Sequence, residues 1–566
     1  MNPNLRVTRT PKPRPAGSLR TGARVAAVGA AVLSFALSGC SAAPTPAGGG
    51  SGGDASLTAN LGFAGTTINR NFNPFALKAT QGTFGFQYEA LFDFNILEGG
   101  KFTPWLATKY AWADGGKKIT IHLDERANWS DGSKLTAQDV VFTLDYVKKN
   151  KLPPTWSFDF EKASAPDEHT VEITFDKPAY SKIDSIGGIT PVPEKIWRNK
   201  DGAKDTNPNP VGSGPYKLKQ FSPQQLTFEA RDDYWKQKNV PVKTVKAPII
   251  TQASEVPKLL SGELDWSGGV VPDVKKQYID KDPKNHHAWY PTYGGQFLFF
   301  NHTKKPFDDV HVRKGLSLAV DRSQLLNVTN PGMFNTLNLT GLDSKTQGKW
   351  IADEYKDAEQ PRAELAKSLA EFKKAGYTKK NGRLVDGSGK QLSFSIMEVQ
   401  EWGDAVQFDK VVASQLKKAG IDVNVKPIAA AQIDAKRKSG DFDVTIGGGV
   451  YYSTPYNFYK DMLFSENAGI WTNYGHYRSK KADDLLKDMA TAQDAATVKK
   501  YAARFEKIMV DDVPAAPLIT IGVSSEYSTK NWTGWPSEKN PYAQPAPWAG
   551  GVDAMSILLN LRPAKG

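Results

Sequence analysis

The chain has 566 residues, with 72 Lys and Arg against 60 Asp and Glu and a formal net charge of +12. Half of that excess sits in the first 24 positions. Beyond them the basic residues are interspersed with acids, which excludes the clustered basic face that nucleic acid requires. A single cysteine excludes an internal disulfide, so stability must come from a large buried core, for which 14 Trp, 20 Tyr and 27 Phe supply bulk.

Arg6, Arg9, Lys12, Arg14, Arg20 and Arg24, with no acid among them, precede an apolar segment from about Val25 to Leu37. A positive flank before a short apolar run is the layout of an export signal. The run is too short to span a membrane, which takes roughly 20 apolar residues. No later segment approaches that length. Leu37-Ser38-Gly39-Cys40 resembles the lipobox of bacterial lipoproteins. That resemblance implies removal of residues 1–39, a diacylglyceryl group on Cys40, and an anchor at the outer face of the cytoplasmic membrane. "SAAPTPAGGGSGGDAS" then has the Gly, Pro, Ala and Ser content of a flexible tether, over 40–56.

The rest of the chain exceeds the roughly 250–300 residues of a single core, so domains are expected. "LTANLGFAG" and "KKITIHLDE" alternate as strands. "LTAQDVVFTLDYVKK" reads as a helix, with Thr136 capping it and Asp139 completing a capping box. "TVEITFDKP" is another strand. Pro-rich, charged "RNKDGAKDTNPNPVGSGPY" breaks all periodicity, and "LKQFSPQQLTFEARDDYW" reads as a hairpin. In the second half "PRAELAKSLAEFKKAGY" predicts a helix from Pro361 to a stop at Gly376, and "WGDAVQFDKVVASQLKKAG" a second that stops at Gly420. "IDVNVKP" alternates as the next strand. Helix, glycine, strand is the unit of an α/β sheet, and the aromatic, Pro-rich tail "NWTGWPSEKNPYAQPAPWAGG" is expected to be non-helical.

Reaction chemistry finds no support. The seven histidines contain no HExxH and no Cys-His spacing, and the adjacent His286 and His287 point to different faces of either a strand or a helix. Ser213 in "VGSGPY" lies outside a nucleophile elbow, "GGGSGG" lacks the lysine of a phosphate loop, and "ANWSDGSK" lacks calcium-loop spacing. No enzyme activity, metal or cofactor is expected.

The segment "ITIHLDERANWSDGSKLTAQDVVFTLDYVK" resembles the signature of the family 5 extracellular solute-binding proteins, the receptors of oligopeptide and related ABC importers. "NFNPF", "YEALFDFN", "NPVGSGPYKL", "RDDYW", "LLSGELDW" and "FLFFNHTKKPFDDVHVRKGLSLAVDR" occur in family order. The resemblance implies a two-lobed periplasmic-binding-protein-like α/β fold, with an extra domain in the first lobe and a hinged cleft. Domain I would comprise 57–92, 209–296 and 521–566, domain II 93–208 and domain III 297–520. It also implies a membrane permease as partner and a monomeric receptor.

Family peptide receptors carry a stretch like W-x-A-D-Y-x-D-P whose first aspartate holds the peptide amino terminus. Here "GGGVYYSTP" stands there, with Tyr451 at the position of the aspartate and no acid from Gly447 to Pro455. "SGELDWSGGVVPDV", "EVQEWGDAV" and "NWTGWPSEKNPYA" resemble instead the subgroup that binds cello-oligosaccharides. Aromatic faces with Asn, Gln and Asp suit sugar rings and hydroxyls. The ligand-binding candidates are Phe84, Tyr88, Trp266, Asn301, Trp402, Tyr451 and Tyr452. Trp402 either faces the cleft or staples its helix. A peptide ligand remains the alternative, with Glu398 or Asp404 as its acid, as does a sensor with the same cleft.

Overall fold

The computed structural model describes residues 55–564 apart from 64–65, 77, 153–155, 329–331, 471 and 550–551. The export signal, Cys40 and nearly all of the tether lie outside the described residues.

Three sheets of four or more strands organise the described chain. The seven-stranded sheet runs His286–Ala288, Glu526–Ser528, Trp266–Ser267, Ser56–Asn60, Thr244–Pro248, Gln225–Ala230, Tyr216–Ser222. Ser56–Asn60 is parallel to both of its neighbours, and the other pairs are antiparallel. A second, antiparallel sheet has four strands in the order Ala107–Ala113, Lys118–Leu123, Thr170–Thr174, Lys162–Asp167. Its expected strand at Lys118–Leu123 turns Ile119, Ile121 and Leu123 inward, the period of two that the sequence carries. These two sheets share one hydrophobic core and make up the first lobe.

The second lobe is built on a five-stranded sheet, Asp422–Ile428, Ser393–Val399, Val444–Val450, Thr292–Phe300, Ala515–Gly522. Its strand "FLFF" is apolar on both faces because both are covered. Leu298 and Phe300 pack against helices Val310–Leu318 and Gly403–Lys418, while Phe297 and Phe299 pack against helices Pro455–Leu463 and Ala495–Asp512. The architecture is the expected two-lobed α/β fold.

The helix at Ala137–Asn150 starts as its cap predicts. Asp139 Oδ2 accepts the Thr136 N–H at 3.0 Å, and its other oxygen accepts the Glu194 N–H at 3.0 Å, so the cap also fixes the next segment. The helix Gly403–Lys418 ends at Gly420, where φ is +98° and a Cβ would stand 2.7 Å from the Gly382 carbonyl oxygen. One boundary differs from expectation: the preceding helix begins at Leu365, not Pro361. The Pro361 carbonyl accepts the Ser323 N–H and the Glu364 N–H reaches the Leu318 carbonyl, so tertiary hydrogen bonds hold this turn out of the helix.

Candidate ligand-binding cleft

The chain passes between the lobes twice, through 289–291 and 523–525. The two crossings run side by side, with Trp289 N–H donating to the Ser525 carbonyl at 2.9 Å and Val523 N–H to the Pro291 carbonyl at 3.0 Å. Tyr290 O–H donates to Glu526, a fully buried carboxyl pushed well up by burial. A pair of short antiparallel connections is the geometry of a hinge. The lobes also touch at their rims, where Lys349 Nζ donates to the Gly99 carbonyl at 2.6 Å. There too Asp184 of the first lobe faces the hydroxyl and N–H of Ser453 in the second.

Beside the hinge, the second lobe presents the strand Val444–Val450 with its three consecutive glycines. They are needed for space: a Cβ on Gly447 would stand 2.8 Å from the Tyr474 ring, and one on Gly449 3.1 Å from Phe458. The Arg437 guanidinium lies 4.1 Å above the Tyr474 ring centre and donates to Thr445 Oγ1 and the Ile446 carbonyl. Next to it, Glu398 and Asp409 are buried together. Burial first, and the Glu398 charge second, push Asp409 far up, and burial raises Glu398 as well. In the first lobe the Trp548 indole, half-buried, donates to the Gly268 carbonyl at 2.7 Å, and it packs, as Tyr293 does, against the small cluster of Val523, Ala546 and Ala549. Tyr293 is pushed up by burial first and by the charge of Tyr474 second.

Four of the seven expected ligand contacts are spent inside the protein. Trp266 is fully buried; its indole N–H donates to the Pro545 carbonyl at 2.7 Å and to Ser525 Oγ at 3.2 Å, and its ring meets Trp535 edge-on. Tyr88 is buried, its hydroxyl accepting from Asn207 at 2.9 Å. Asn301 gives its amide protons to the Gly440 and Phe442 carbonyls while its oxygen accepts from Thr303. Tyr451 points into the core and donates to the Gly341 carbonyl at 3.0 Å. Such residues have no free face for a ligand. Three remain available: Trp402, 55% exposed at the start of its helix and so not a buried staple; Tyr452, half-buried and donating to Asp461; and Phe84, half-buried against the first-lobe core.

Sequence reasoning missed Tyr293, Tyr474 and Trp548 as a set. For Tyr474 the signal was Gly447, whose missing side chain leaves room for the ring; no local pattern marked Tyr293 or Trp548. Among the described residues no group of His, Cys, Asp and Glu is arranged to hold a metal, and no helix is long and apolar enough to cross a membrane.

Comparison with known proteins gives a consistent result. A model of the bacterial extracellular solute-binding proteins, family 5 (middle region), matches residues 101–470. The periplasmic oligopeptide-binding protein OppA of Salmonella typhimurium is 27% identical over 472 residues, covering 78% of this chain and 83% of that protein. The crystal structure of a periplasmic oligopeptide-binding protein of Thermotoga maritima superposes with a TM-score of 0.83 at 25% identity, covering 90% of this chain and all of that one. A mannohexaose-bound structure of the Thermotoga protein superposes with a TM-score of 0.79 at 24% identity, over 91% of this chain and 99% of that one.

Proposed function

The chain belongs to the bacterial extracellular solute-binding proteins of family 5, a family of binding proteins rather than enzymes, and from that premise we propose that its ligand is a short oligosaccharide delivered to the permease of an ABC importer. The observation that carries the choice of ligand is the segment after the triple-glycine strand. It has no acid from Gly447 to Pro455, and the residue standing where a peptide receptor keeps its aspartate is the core tyrosine Tyr451. A peptide ammonium brought there would find no carboxylate in the segment itself, and the nearby Asp461 and Asp184 are already held by Tyr452 and Ser453, so burying it is costly. Glu398 offers no substitute, being buried and paired with Asp409. The half-buried rings of Tyr293, Tyr474, Trp548 and Tyr452, with exposed Trp402, suit sugar C–H faces. The fold accommodates an oligosaccharide in the Thermotoga structure that holds mannohexaose.

In this reading the seven-stranded sheet marks domain I (57–92, 209–296 and 521–566), the four-stranded sheet domain II (93–208) and the five-stranded sheet domain III (297–520). The two crossings act as the hinge on which ligand favours the closed form. Residues 1–39 direct export, and Cys40 carries the lipid that holds a monomeric receptor at the membrane surface.

A thermal-shift panel tests the ligand. Cello-, xylo-, manno- and malto-oligosaccharides are compared with di- to penta-peptides, on protein refolded to strip bound ligand. One saccharide series is expected to stabilise the protein by about 2.7 kcal/mol at a hundred times its dissociation constant. Stabilisation by peptides alone would overturn the saccharide reading and leave the receptor reading standing.

The rim contact gives a second expected result. Burial first, with Asp93 adding, pushes the Asp184 carboxyl from 3.8 to about 6, against the hydrogen bonds from Ser453. A raised acid pKa in the closed form means closure gains as pH falls through 6 towards 3.8 and loses as pH rises. Ligand affinity should therefore increase up to about tenfold from pH 7 to pH 5, one pKa unit being a factor of ten. Asp184→Asn should remove that dependence in calorimetric titrations; an unchanged pH profile would show that the rim does not open.

A further inference from the structure

A groove of about 880 Å³ separates the lobes away from the hinge. Its first-lobe wall is formed by the helix Ala137–Asn150, the segment Trp156–Phe160 and residues 176–185; its second-lobe wall by the helices Pro455–Leu463 and Lys480–Met489. Trp156, Phe158, Tyr456 and Phe464 give it an aromatic lining, and six lysines face three aspartates along it.

Three of these charges are held within the protein. Lys148 donates to the Phe160 and Glu161 carbonyls at 2.8 and 3.2 Å, Lys487 pairs with Asp484, and Asp483 accepts the Ser465 N–H. Of the four lysines without such a partner, Lys151 and Lys177 are exposed, while Lys182 and Lys460, one from each lobe, are half-buried. Among the described residues, neither Lys182 nor Lys460 has an ion-pair partner within 4 Å, and Lys182 stands 6.0 Å above the Phe158 ring. Their environment is already tense. Burial holds the Lys182 pKa below its ordinary value and the Lys460 charge adds to that, while Asp159 and Asp176 pull the other way. Bringing the lobes together therefore sets two like charges against each other in a partly dry groove, a cost that a bound anion would reverse.

We propose that this groove is an anion-accepting site spanning the lobes, in which a carboxylate carried by an oligomeric ligand bridges Lys182 and Lys460 and favours closure. The inference rests on the reading of the chain as a receptor that closes on its ligand, and it narrows the ligand to one with an acidic group. A single carboxylate suits the site better than a dianion, because Asp159 and Asp176 border it. The aromatic lining suits the body of a sugar ring or an apolar side chain. The carboxylate has two chemical sources, a uronic acid or the carboxyl terminus of a peptide.

The test uses four probes at constant ionic strength: trigalacturonate, its carboxyl-reduced neutral counterpart, trialanine, and trialanine amide. Binding by wild type and by Lys182→Gln/Lys460→Gln is followed by thermal shift and calorimetry. Wild type should prefer the carboxylate form of at least one pair by about tenfold, and the double variant should lose that preference. Preference within the sugar pair assigns a uronide, and within the peptide pair a carboxyl terminus. Without ligand the variant should melt close to wild type, because the repulsion removed between the lysines is offset by the lost attraction of Lys182 to Asp159 and Asp176; that melting temperature also shows that it folds. Equal binding of acidic and neutral probes, or a preference that survives the double substitution, overturns the site. If neutral oligomers of the wider panel bind while no acidic probe is preferred, the groove inference falls and the receptor reading stands. If no oligomer of either kind binds, the receptor reading falls and takes the groove with it.

Discussion

Trp266→Ala is expected to destabilise the protein by about 3–5 kcal/mol while leaving ligand affinity within about twofold, the pattern of a core aromatic and not of a ligand platform. The side chain is fully buried. It sits on a two-residue strand between Ala59 on one side and Tyr527 on the other, so its ring fills the junction of the central strand, the return crossing and the C-terminal tail. Alanine leaves a cavity bordered by Trp535 that this junction cannot collapse to fill, and it orphans the Pro545 carbonyl. Trp266→Phe separates the two losses, because it keeps most of the ring but gives up the N–H, a cost of about 1–3 kcal/mol. Urea unfolding of the three proteins, set beside ligand titration, decides the matter. A stable Trp266→Ala protein with weakened binding would return this residue to the cleft.

The contrast between Trp266 and Trp402 explains how far the sequence could be read. Local rules held wherever local chemistry decides: the period-two strand at Lys118–Leu123, the cap at Thr136 and the stop at Gly420 all depend on residues within a few positions of each other. They failed at Pro361, where hydrogen bonds to Ser323 and Leu318 override a good helix start, and they left the buried helix Asp553–Asn560 unread behind an irregular tail. The site was less legible because aromatic residues serve core and cleft alike, and only burial tells them apart. Asn301 could have been a hydroxyl partner by type, but all its hydrogen-bonding capacity is used to hold the turn after "FLFF" to Gly440 and Phe442. The motifs that mark the family prove to be architectural. Arg231 of "RDDYW" donates to the Ser213 and Gly214 carbonyls of "NPVGSGPYKL" and to the Trp129 carbonyl, and Arg322 of "AVDR" donates to the Pro517 carbonyl.

The same motif set carries the other large effect. Glu89, in "YEALFDFN", is fully buried, yet it accepts from Trp105 Nε1 at 2.7 Å, Tyr234 O–H at 2.6 Å and Trp235 Nε1 at 3.0 Å. Lys236 lies over both indole rings and is attracted to its charge. Glu89→Ala should cost about 3–5 kcal/mol, because three buried donors lose their only common acceptor and Lys236 loses its counter-charge. Glu89→Gln should cost less, about 1–3 kcal/mol, since its oxygen still accepts but its amide N–H then meets an indole N–H. Burial, opposed by the three donors, leaves the carboxyl pKa above its ordinary value of 4.5. With the folded pKa above the unfolded one, the folded state binds more protons between the two values, so wild type gains stability as pH falls through that window. Glutamine cannot titrate and gains nothing. The deficit of Glu89→Gln relative to wild type should therefore be larger at pH 5 than at pH 7.5 in urea unfolding. A deficit that shrinks in acid would mean that the donors hold the carboxylate charged more firmly than burial opposes it, and that this corner of the first lobe is an ionic junction rather than a hydrogen-bonded one.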